Sequence, residues 1–185
     1  MVTDKTGKAI VIEKTKEGFK VYENKVGVMT NAPSFDWHIT NLRQYMNATP
    51  VQPTSANWSD LELTPLGSAT GGIGLPGDFS SPSRFVRVAF LRAQILMEDI
   101  ENDGIIEFFH ILNNVAMVKG SVITKDGKDE ITQYSSCMNL EKGLYYYKSY
   151  NNNQINMLDM HKEDLDGSEM KIFPYNDVQV VNLLN

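Results

Sequence analysis

Apolar and polar residues alternate near the start of the chain with the two-residue period of a β-strand. The first apolar run covers residues 9–12, a turn is indicated at 16–18, and the alternation resumes at 19–22. A third apolar run covers residues 26–29. These segments predict two or three antiparallel strands in the first 30 residues.

A helical pattern begins where these strands end. Ser34 can cap a helix N-terminus, and the acidic Asp36 suits the first turn. Apolar positions then recur at helical spacing, at Phe35, Ile39, Leu42 and Met46. Asn31 consequently lies at a predicted strand-to-helix junction.

Residues 47–83 are rich in Pro, Gly, Ser, Thr and Asn and show no sustained period. A stretch of this length is too long for an idle connector in a compact domain. We predict that it is functional or takes part in assembly.

Two further helices are predicted after this segment. Pro82, behind Ser81, suits the first position of the second helix. Apolar residues follow one face of each helix, at Phe85, Ala89, Ala93 and Leu96 in the second and at Ile105, Phe108, Phe109 and Leu112 in the third. The acidic stretch 98–104 lies between them without the ligand spacing of an EF-hand, and Gly104 favours a break there.

The last third of the chain returns to strand patterns. The pair Asp126–Gly127 predicts a hairpin turn between strands at 121–124 and 130–138. Further strands are predicted at 144–147, 155–160 and 170–173. Strands, then helices, then strands predict a single α+β domain over residues 1–185, with antiparallel sheets flanked by helices.

Composition excludes several classes of function. The 185 residues include 17 Lys and Arg against 23 Asp and Glu, a net charge of −6, so we predict no nucleic-acid or membrane partner. A single cysteine cannot form an intramolecular disulfide or a thiolate zinc site, and we predict neither metal nor cofactor. The polar first residues and the lack of an apolar run of about 18 residues predict a soluble, cytoplasmic protein.

Two motifs with possible chemistry have weak sequence contexts. Residues 72–77 satisfy the glycine pattern of dinucleotide-binding loops, but no predicted strand leads into them and no helix opens at the last glycine. Cys137 could pair with a histidine, namely His38, His110 or His161. A cysteine inside a predicted strand more often packs as a small apolar residue.

Asn31 and Arg84 are the candidate site residues. The Asn31 amide could donate to developing oxyanion charge, or the residue could simply cap the turn before Pro33. Arg84 lies in the first turn of a predicted helix, where the helix dipole disfavours a cation. That position indicates a carboxylate partner or a role in a site, although Arg87 in the same helix shows that arginine is common there.

Several segments, in this order, resemble the choloylglycine hydrolase family, which contains bile salt hydrolases and penicillin V acylases. They are residues 7–13, 26–31, 35–37, 40–42, 71–78, 83–85, 108–112 and 134–136. The resemblance covers essentially the whole chain.

This resemblance implies an N-terminal-nucleophile hydrolase fold, in which two antiparallel sheets are stacked between helical layers (αββα), usually in a homotetramer. The family cleaves linear, non-peptide amides with an N-terminal cysteine whose own α-amino group is the base. Asn31 matches the asparagine that helps form the oxyanion hole, and Arg84 matches the arginine close to the nucleophile. Residues 47–83 resemble the family's assembly loop.

The start of the chain departs from the family pattern. Met1 is followed by Val2, so no thiol stands at the N-terminus, and Cys137 cannot replace it because the mechanism needs amine and thiol on one residue. We therefore expect the C-terminal portion of the fold, inactive alone, with the nucleophile on a missing N-terminal segment that a partner fragment could supply. The expected substrate is a small amide, either a conjugated bile salt or penicillin V. Residues 37–43 and 63–67 resemble the penicillin V acylase branch slightly more.

A non-catalytic function is the alternative. The chain would then be a structural or interaction subunit, or a truncated family member, whose open sheet docks onto another chain. Both readings predict association into an oligomer.

Overall fold

The computed structural model describes residues 1–97 and 102–185. By its internal contacts the chain divides into two compact units, each with helices and antiparallel strands, so the fold is α+β. The first unit comprises Met1–Thr3 and Lys8–Leu96, and the second Asp4–Gly7 and Met97–Asn185. That residues 1–185 act as one domain stays a prediction.

The described residues form three α-helices and eight strands. The helices are α1 (Phe35–Leu42), α2 (Ser81–Gln94) and α3 (Asn102–Asn113). The strands are β1 (Val2–Thr3), β2 (Ala9–Thr15), β3 (Gly18–Glu23), β4 (Ala56–Trp58), β5 (Leu61–Leu63), β6 (Tyr134–Asn139), β7 (Leu144–Ser149) and β8 (Asn156–Asp159). Strands pair in the order β1-β2-β3, β4-β5 and β6-β7-β8, all antiparallel.

The core of the first unit lies between the β1-β2-β3 sheet and helices α1 and α2. Its buried members are Val11, Val28, Phe35, Phe85 and Ala89. The Phe35 ring meets Phe85 edge-on, with centroids 6.3 Å apart. This packing joins both helices to one face of the sheet.

Helix α1 starts where predicted, but its N-terminus is capped from another element. Ser34 occupies the N-cap position, yet its hydroxyl donates to Asp36 and caps no backbone N–H. Both carboxylate oxygens of Glu13 in β2 accept from the Phe35 N–H, at 3.0 and 3.1 Å. The expectation of a Ser34 cap is therefore wrong: the Glu13 carboxylate bonds the Phe35 N–H, and the Trp37 N–H, which an N-cap side chain could bond, donates to Asp36 Oδ1 at 3.0 Å. The negative charge of Glu13 is also favourable near the positive end of the helix dipole.

The predicted strand at residues 26–29 does not form. Buried Asn24 replaces a strand partner: its Oδ1 accepts from the Gly27 N–H at 2.8 Å, and its Nδ2 donates to the Val28 carbonyl at 3.1 Å. Gly27 adopts a φ of 66° in the turn. Hydrogen bonds to a side chain thus compete with the sheet ladder for these backbone groups.

The long segment at residues 47–83 contains a hairpin that its composition did not predict. Strands β4 and β5 pair across a two-residue turn at Ser59 and Asp60, and all six strand residues are exposed. The turn requires a φ of 53° at Ser59. Helix α2 begins one residue earlier than expected, at Ser81 with Ser80 as N-cap. Its expected apolar face is buried only at Phe85 and Ala89.

The second unit is built on the β6-β7-β8 sheet. The turn at Asp126–Gly127 forms, but the flanking residues make only one bridge, between Ile123 and Asp129, and β6 begins later than expected. The expected strand at residues 170–173 is wrong: no strand is present there. Tyr175 instead stacks on Tyr147 of β7, with centroids 6.0 Å apart, so the tail is held by aromatic contact rather than by a ladder.

The helix boundary before α3 differs from expectation. Helix α3 continues through Gly104, so the expected break at this glycine is wrong. Residues 98–101 of the acidic stretch lie outside the described residues.

Candidate functional site

Asn31 and Arg84, separated by 53 positions, are joined by a hydrogen bond. Asn31 lies in the loop between β3 and α1, and Arg84 lies in the first turn of α2. Arg84 Nη2 donates to Asn31 Oδ1 at 2.7 Å. A second bond, from Arg84 Nε to the Phe79 carbonyl at 3.0 Å, fixes the guanidinium against the loop before α2. The fold therefore brings the two candidate residues together.

This bond determines which end of the Asn31 amide faces outward. A guanidinium has only N–H donors, so the atom it meets must be the amide oxygen. The Nδ2 donors of Asn31 have no hydrogen-bond acceptor within residues 1–97 and 102–185, and the residue is exposed. Asn31 consequently offers N–H donors to an incoming group, and its side chain does not cap the turn before Pro33.

The backbone of Asn31 is held by both helices. Ser81 Oγ of α2 donates to the Asn31 carbonyl at 2.9 Å, and His38 Nε2 of α1 lies 3.0 Å from the same oxygen. Ser81 Oγ also lies 2.9 Å from Thr30 Oγ1. Sequence reasoning missed Thr30, His38 and Ser81 as parts of this site. The signal available for His38 was its position three residues after the apolar Phe35, on the buried face of the helix.

A serine and carboxylate network holds the loop before α2. Asp78 accepts from the Ser80 N–H at 2.8 Å and from Ser83 Oγ at 2.6 Å. Hydrogen bonding from the Ser80 side chain, from the Ser83 side chain and from the Ser80 N–H lowers the pKa of Asp78 to about 2. Arg87 donates to the Pro76 and Asp78 carbonyls. The loop that anchors Arg84 is therefore itself fixed at several points.

Similarity to known proteins identifies the family. Residues 1–173 match the family described as linear amide C–N hydrolases, choloylglycine hydrolase family. A bile salt hydrolase/transferase of Clostridium perfringens is 54% identical over all 185 residues. The chain belongs to the choloylglycine hydrolase family.

Solved structures place this chain in a known fold. It matches a crystallised mutant of conjugated bile acid hydrolase from Clostridium perfringens with a TM-score of 0.88 and 54% identity, covering 97% of this chain and 55% of that one. Penicillin V acylase from Agrobacterium tumefaciens matches with a TM-score of 0.63 over 85% of this chain and 43% of that one, and at 21% identity this shows the fold alone. The predicted N-terminal-nucleophile hydrolase class is confirmed.

The chain spans about half the length of the curated relatives it matches. It covers 56% of the Clostridium perfringens bile salt hydrolase/transferase. A second bile salt hydrolase/transferase, from Lactiplantibacillus plantarum, is 44% identical over 174 residues, and 53% of its length is covered.

Cys137 shows no sign of activation as a nucleophile. It lies in β6 and is half-buried, and this burial raises the pKa of its thiol. A reactive cysteine needs the opposite shift. His110 and His161 are both exposed.

The glycine loop at residues 72–77 opens no helix at its last glycine. A 3-10 turn precedes it at Thr70–Gly72. A Cβ at Gly71 would lie 2.5 Å from the Thr49 carbonyl oxygen, so this glycine permits a close backbone approach. This close packing accounts for Gly71, which lies just before the 72–77 pattern. Within the pattern, Gly74 adopts a φ of 96°, a backbone conformation that favours glycine.

Within residues 1–97 and 102–185, no three His, Cys, Asp or Glu side chains are grouped so as to hold a metal ion. In the same ranges no helix is long and apolar enough to cross a membrane.

Proposed function

We propose that this chain provides the oxyanion-stabilising part of an amidase that acts on conjugated bile acids. The attacking thiol comes from polypeptide outside these 185 residues. The observation that carries this proposal is the Asn31 amide, whose oxygen is bonded to Arg84 and whose exposed N–H donors remain available. An amide held in this way is a neutral donor fixed in place before charge develops.

The proposed reaction assigns a role to each residue. A cysteine thiol loses its proton to the α-amino group of the same residue and its sulfur adds to the substrate's amide carbonyl carbon. The negative charge that forms on oxygen is stabilised by the Asn31 Nδ2–H donors, while Arg84 holds the amide and adds positive charge nearby. The C–N bond then breaks, the amine leaves with the proton, and water hydrolyses the thioester to a carboxylic acid.

Relatives support a conjugated bile acid as substrate. The Clostridium perfringens relative is named a bile salt hydrolase/transferase and is 54% identical to this chain over the 185 matched residues. Penicillin V acylase from Agrobacterium tumefaciens is 21% identical over its matched part. The slight resemblance of residues 37–43 and 63–67 to the acylase branch therefore carries less weight than the similarity over the whole chain.

An exposed apolar sheet face supports the need for further polypeptide. Ile12 and Val21 form a cross-strand pair on the face of β2 and β3 opposite Val11, and they are 46% and 63% exposed. Phe19, on the same face, is 74% exposed. Burying such a face is favourable by about 25 cal/mol for each Å² removed from water. A second protein layer on this face would satisfy that tendency.

Complementation tests the proposed function. The 185-residue chain would be assayed alone and after co-expression with the part of the Clostridium perfringens relative that it does not match. Release of taurine or glycine from conjugated bile acids would be measured, with penicillin V as the alternative substrate. We expect turnover only in the complemented sample, with bile acid conjugates preferred. Turnover by the chain alone contradicts the external nucleophile, and an inactive, stably assembled complex contradicts the amidase.

Assembly without catalysis is the second candidate function, and the β4–β5 hairpin favours it. Trp58 at the hairpin tip is 74% exposed and pairs across the turn with Leu61, which is 61% exposed, so the tip presents an apolar surface. We propose that this hairpin, within the predicted assembly loop at 47–83, contributes to a homo-oligomer, with a homotetramer expected. Light scattering after size-exclusion chromatography would give the mass, and Trp58→Ser should reduce it if the hairpin is at the interface.

A further inference from the structure

We propose that His38 is a positioning residue that holds Asn31 in the geometry of an oxyanion donor. This inference rests on the proposed function and extends it to a residue that contacts no substrate. His38 is 1% exposed, and its Nε2 lies 3.0 Å from the Asn31 carbonyl oxygen and 3.3 Å from Thr30 Oγ1. The contact joins the buried core to the exposed loop that presents the amide.

Hydrogen-bond chemistry determines the tautomer of His38. The Asn31 carbonyl oxygen can only accept, so the proton of the imidazole must be on Nε2. Nδ1 is buried and has no hydrogen-bond partner among the described residues. With the proton on Nε2, Nδ1 keeps only a lone pair there, whereas the other tautomer would bury an N–H without an acceptor and lose the bond to Asn31.

Aromatic packing fixes the direction of that Nε2–H. The imidazole stacks on Phe85 of α2, with centroids 4.5 Å apart and the planes inclined by 10°. Trp37 packs against its edge, with centroids 5.5 Å apart. Phe85 is itself fully buried in the core with Val11. The ring therefore has little freedom to turn away from Asn31.

Together, three donors restrain one residue. His38 from α1 and Ser81 from α2 hold the Asn31 backbone carbonyl, and Arg84 from α2 holds the side-chain oxygen. Removing the His38 donor frees one side of the loop, so the amide becomes less well oriented. The Asn31 donor is needed only when charge develops on the substrate oxygen, so its misorientation should lower kcat more than it raises KM.

Three substitutions separate hydrogen bonding from packing. His38→Gln places an amide N–H close to the position of Nε2, whereas His38→Asn places one close to Nδ1 and cannot reach Asn31. His38→Phe keeps a ring to stack on Phe85 but has no donor. Thermal unfolding of each variant would show which of them keep the fold.

Activity of the complemented protein gives the first readout. We expect His38→Phe and His38→Asn to lower kcat by roughly tenfold to a hundredfold with KM little changed, and His38→Gln to restore most of the rate. Equal loss in all three variants would overturn the proposal. Wild-type kcat in His38→Phe, with a large loss in Asn31→Ala, would also overturn it while leaving the proposed function intact.

Nitrogen NMR of the 185-residue chain gives a second readout that needs no activity. The expected result is a His38 ring protonated on Nε2 and unprotonated on Nδ1. The Asn31 side-chain amide signals should shift in His38→Phe and remain near their original positions in His38→Gln. Protonation on Nδ1 alone, or Asn31 signals that are unchanged in His38→Phe, would contradict the positioning role whatever the outcome of complementation.

Discussion

In both compact units buried polar side chains form hydrogen-bond networks, but the networks end differently. In the second unit, buried Asn152 receives and donates within the chain: its N–H donates to Ser149 Oγ at 3.1 Å, and its Oδ1 accepts from the Gln154 N–H at 3.0 Å. In the first unit, buried His38 bonds the backbone carbonyl of Asn31. The side-chain Nδ2 of Asn31 is exposed and has no acceptor in the described part of the chain.

The two networks use buried hydrogen bonds for different purposes. Buried polar groups are costly unless they are paired, so most groups of each network are bonded within the chain. Asn152 fixes a turn beside the sheet, and its Nδ2 donates to the Asn176 carbonyl of the tail at 3.4 Å. In the first unit, the hydrogen bonds from His38, Ser81 and Arg84 hold one exposed donor, the Asn31 Nδ2, in place. A preorganised site requires such restraint.

The largest expected effect is on Asn31. Replacing Asn31 by Ala in the complemented protein should lower kcat by about a hundredfold or more, because an oxyanion donor is lost. The measurement is the rate of taurine release. Asn151→Ala is the matched control, since Asn151 is an exposed asparagine of the second unit whose Nδ2 bonds Asp177. If the Asn31→Ala protein keeps the wild-type rate, the first unit's network does not serve catalysis and does not differ in function from that of the second unit.

Arg84→Leu should have the next largest effect. The substitution leaves the Asn31 amide free to rotate, and we expect kcat to fall by roughly tenfold to a hundredfold. Arg92→Leu is the control on the same helix, because Arg92 Nη1 bonds the Val26 carbonyl, at 3.0 Å, and not Asn31. Similar losses of kcat in both variants would indicate general damage to α2 rather than a specific role of Arg84.

A change in the second unit should affect stability and not turnover. Tyr147→Phe removes the hydroxyl that accepts from the Asn176 N–H at 3.1 Å. The free energy of unfolding should fall by about 0.5–1.5 kcal/mol, measured by urea denaturation. Tyr145→Phe is the control. If Tyr147→Phe lowers kcat without lowering stability, the view of this network as purely structural is wrong.

The smallest effect is expected from Asp78→Asn, and it depends on pH. The pKa of Asp78 is lowered to about 2 in the folded chain, below its ordinary value of 3.8. The ionised carboxylate therefore stabilises the fold above about pH 4, and this contribution is lost as the pH falls from about 4 to 2. Because the group is exposed, solvent weakens the effect.

Thermal unfolding midpoints, measured at pH values from 6 to 2, would test this prediction for Asp78. The difference between the native chain and Asp78→Asn should be greatest near neutral pH and should shrink as the solution becomes acidic. Asp60→Asn, in the exposed β4–β5 turn, is the control. A difference that grows on acidification would give the wrong sign and contradict the proposed hydrogen-bond network.

Local sequence signals predicted much of the secondary structure. Helical spacing after Ser34 and the glycine turn at Asp126–Gly127 both correspond to features that form. The strand expected at residues 26–29 does not form, because the Asn24 side chain bonds the Gly27 N–H and the Val28 carbonyl that a neighbouring strand would otherwise bond. The strand expected at residues 170–173 does not form either, because a short apolar stretch does not by itself specify a partner strand.

The sequence by itself determined the family, the fold class and the two candidate residues, because these follow from residue types and their order along the chain. Only the tertiary structure decided that Arg84 meets the Asn31 oxygen and that His38 and Ser81 hold its carbonyl. The reason is physical: a hydrogen bond depends on distance and direction. Residues 53 positions apart acquire both only when the helices that carry them pack on a common core.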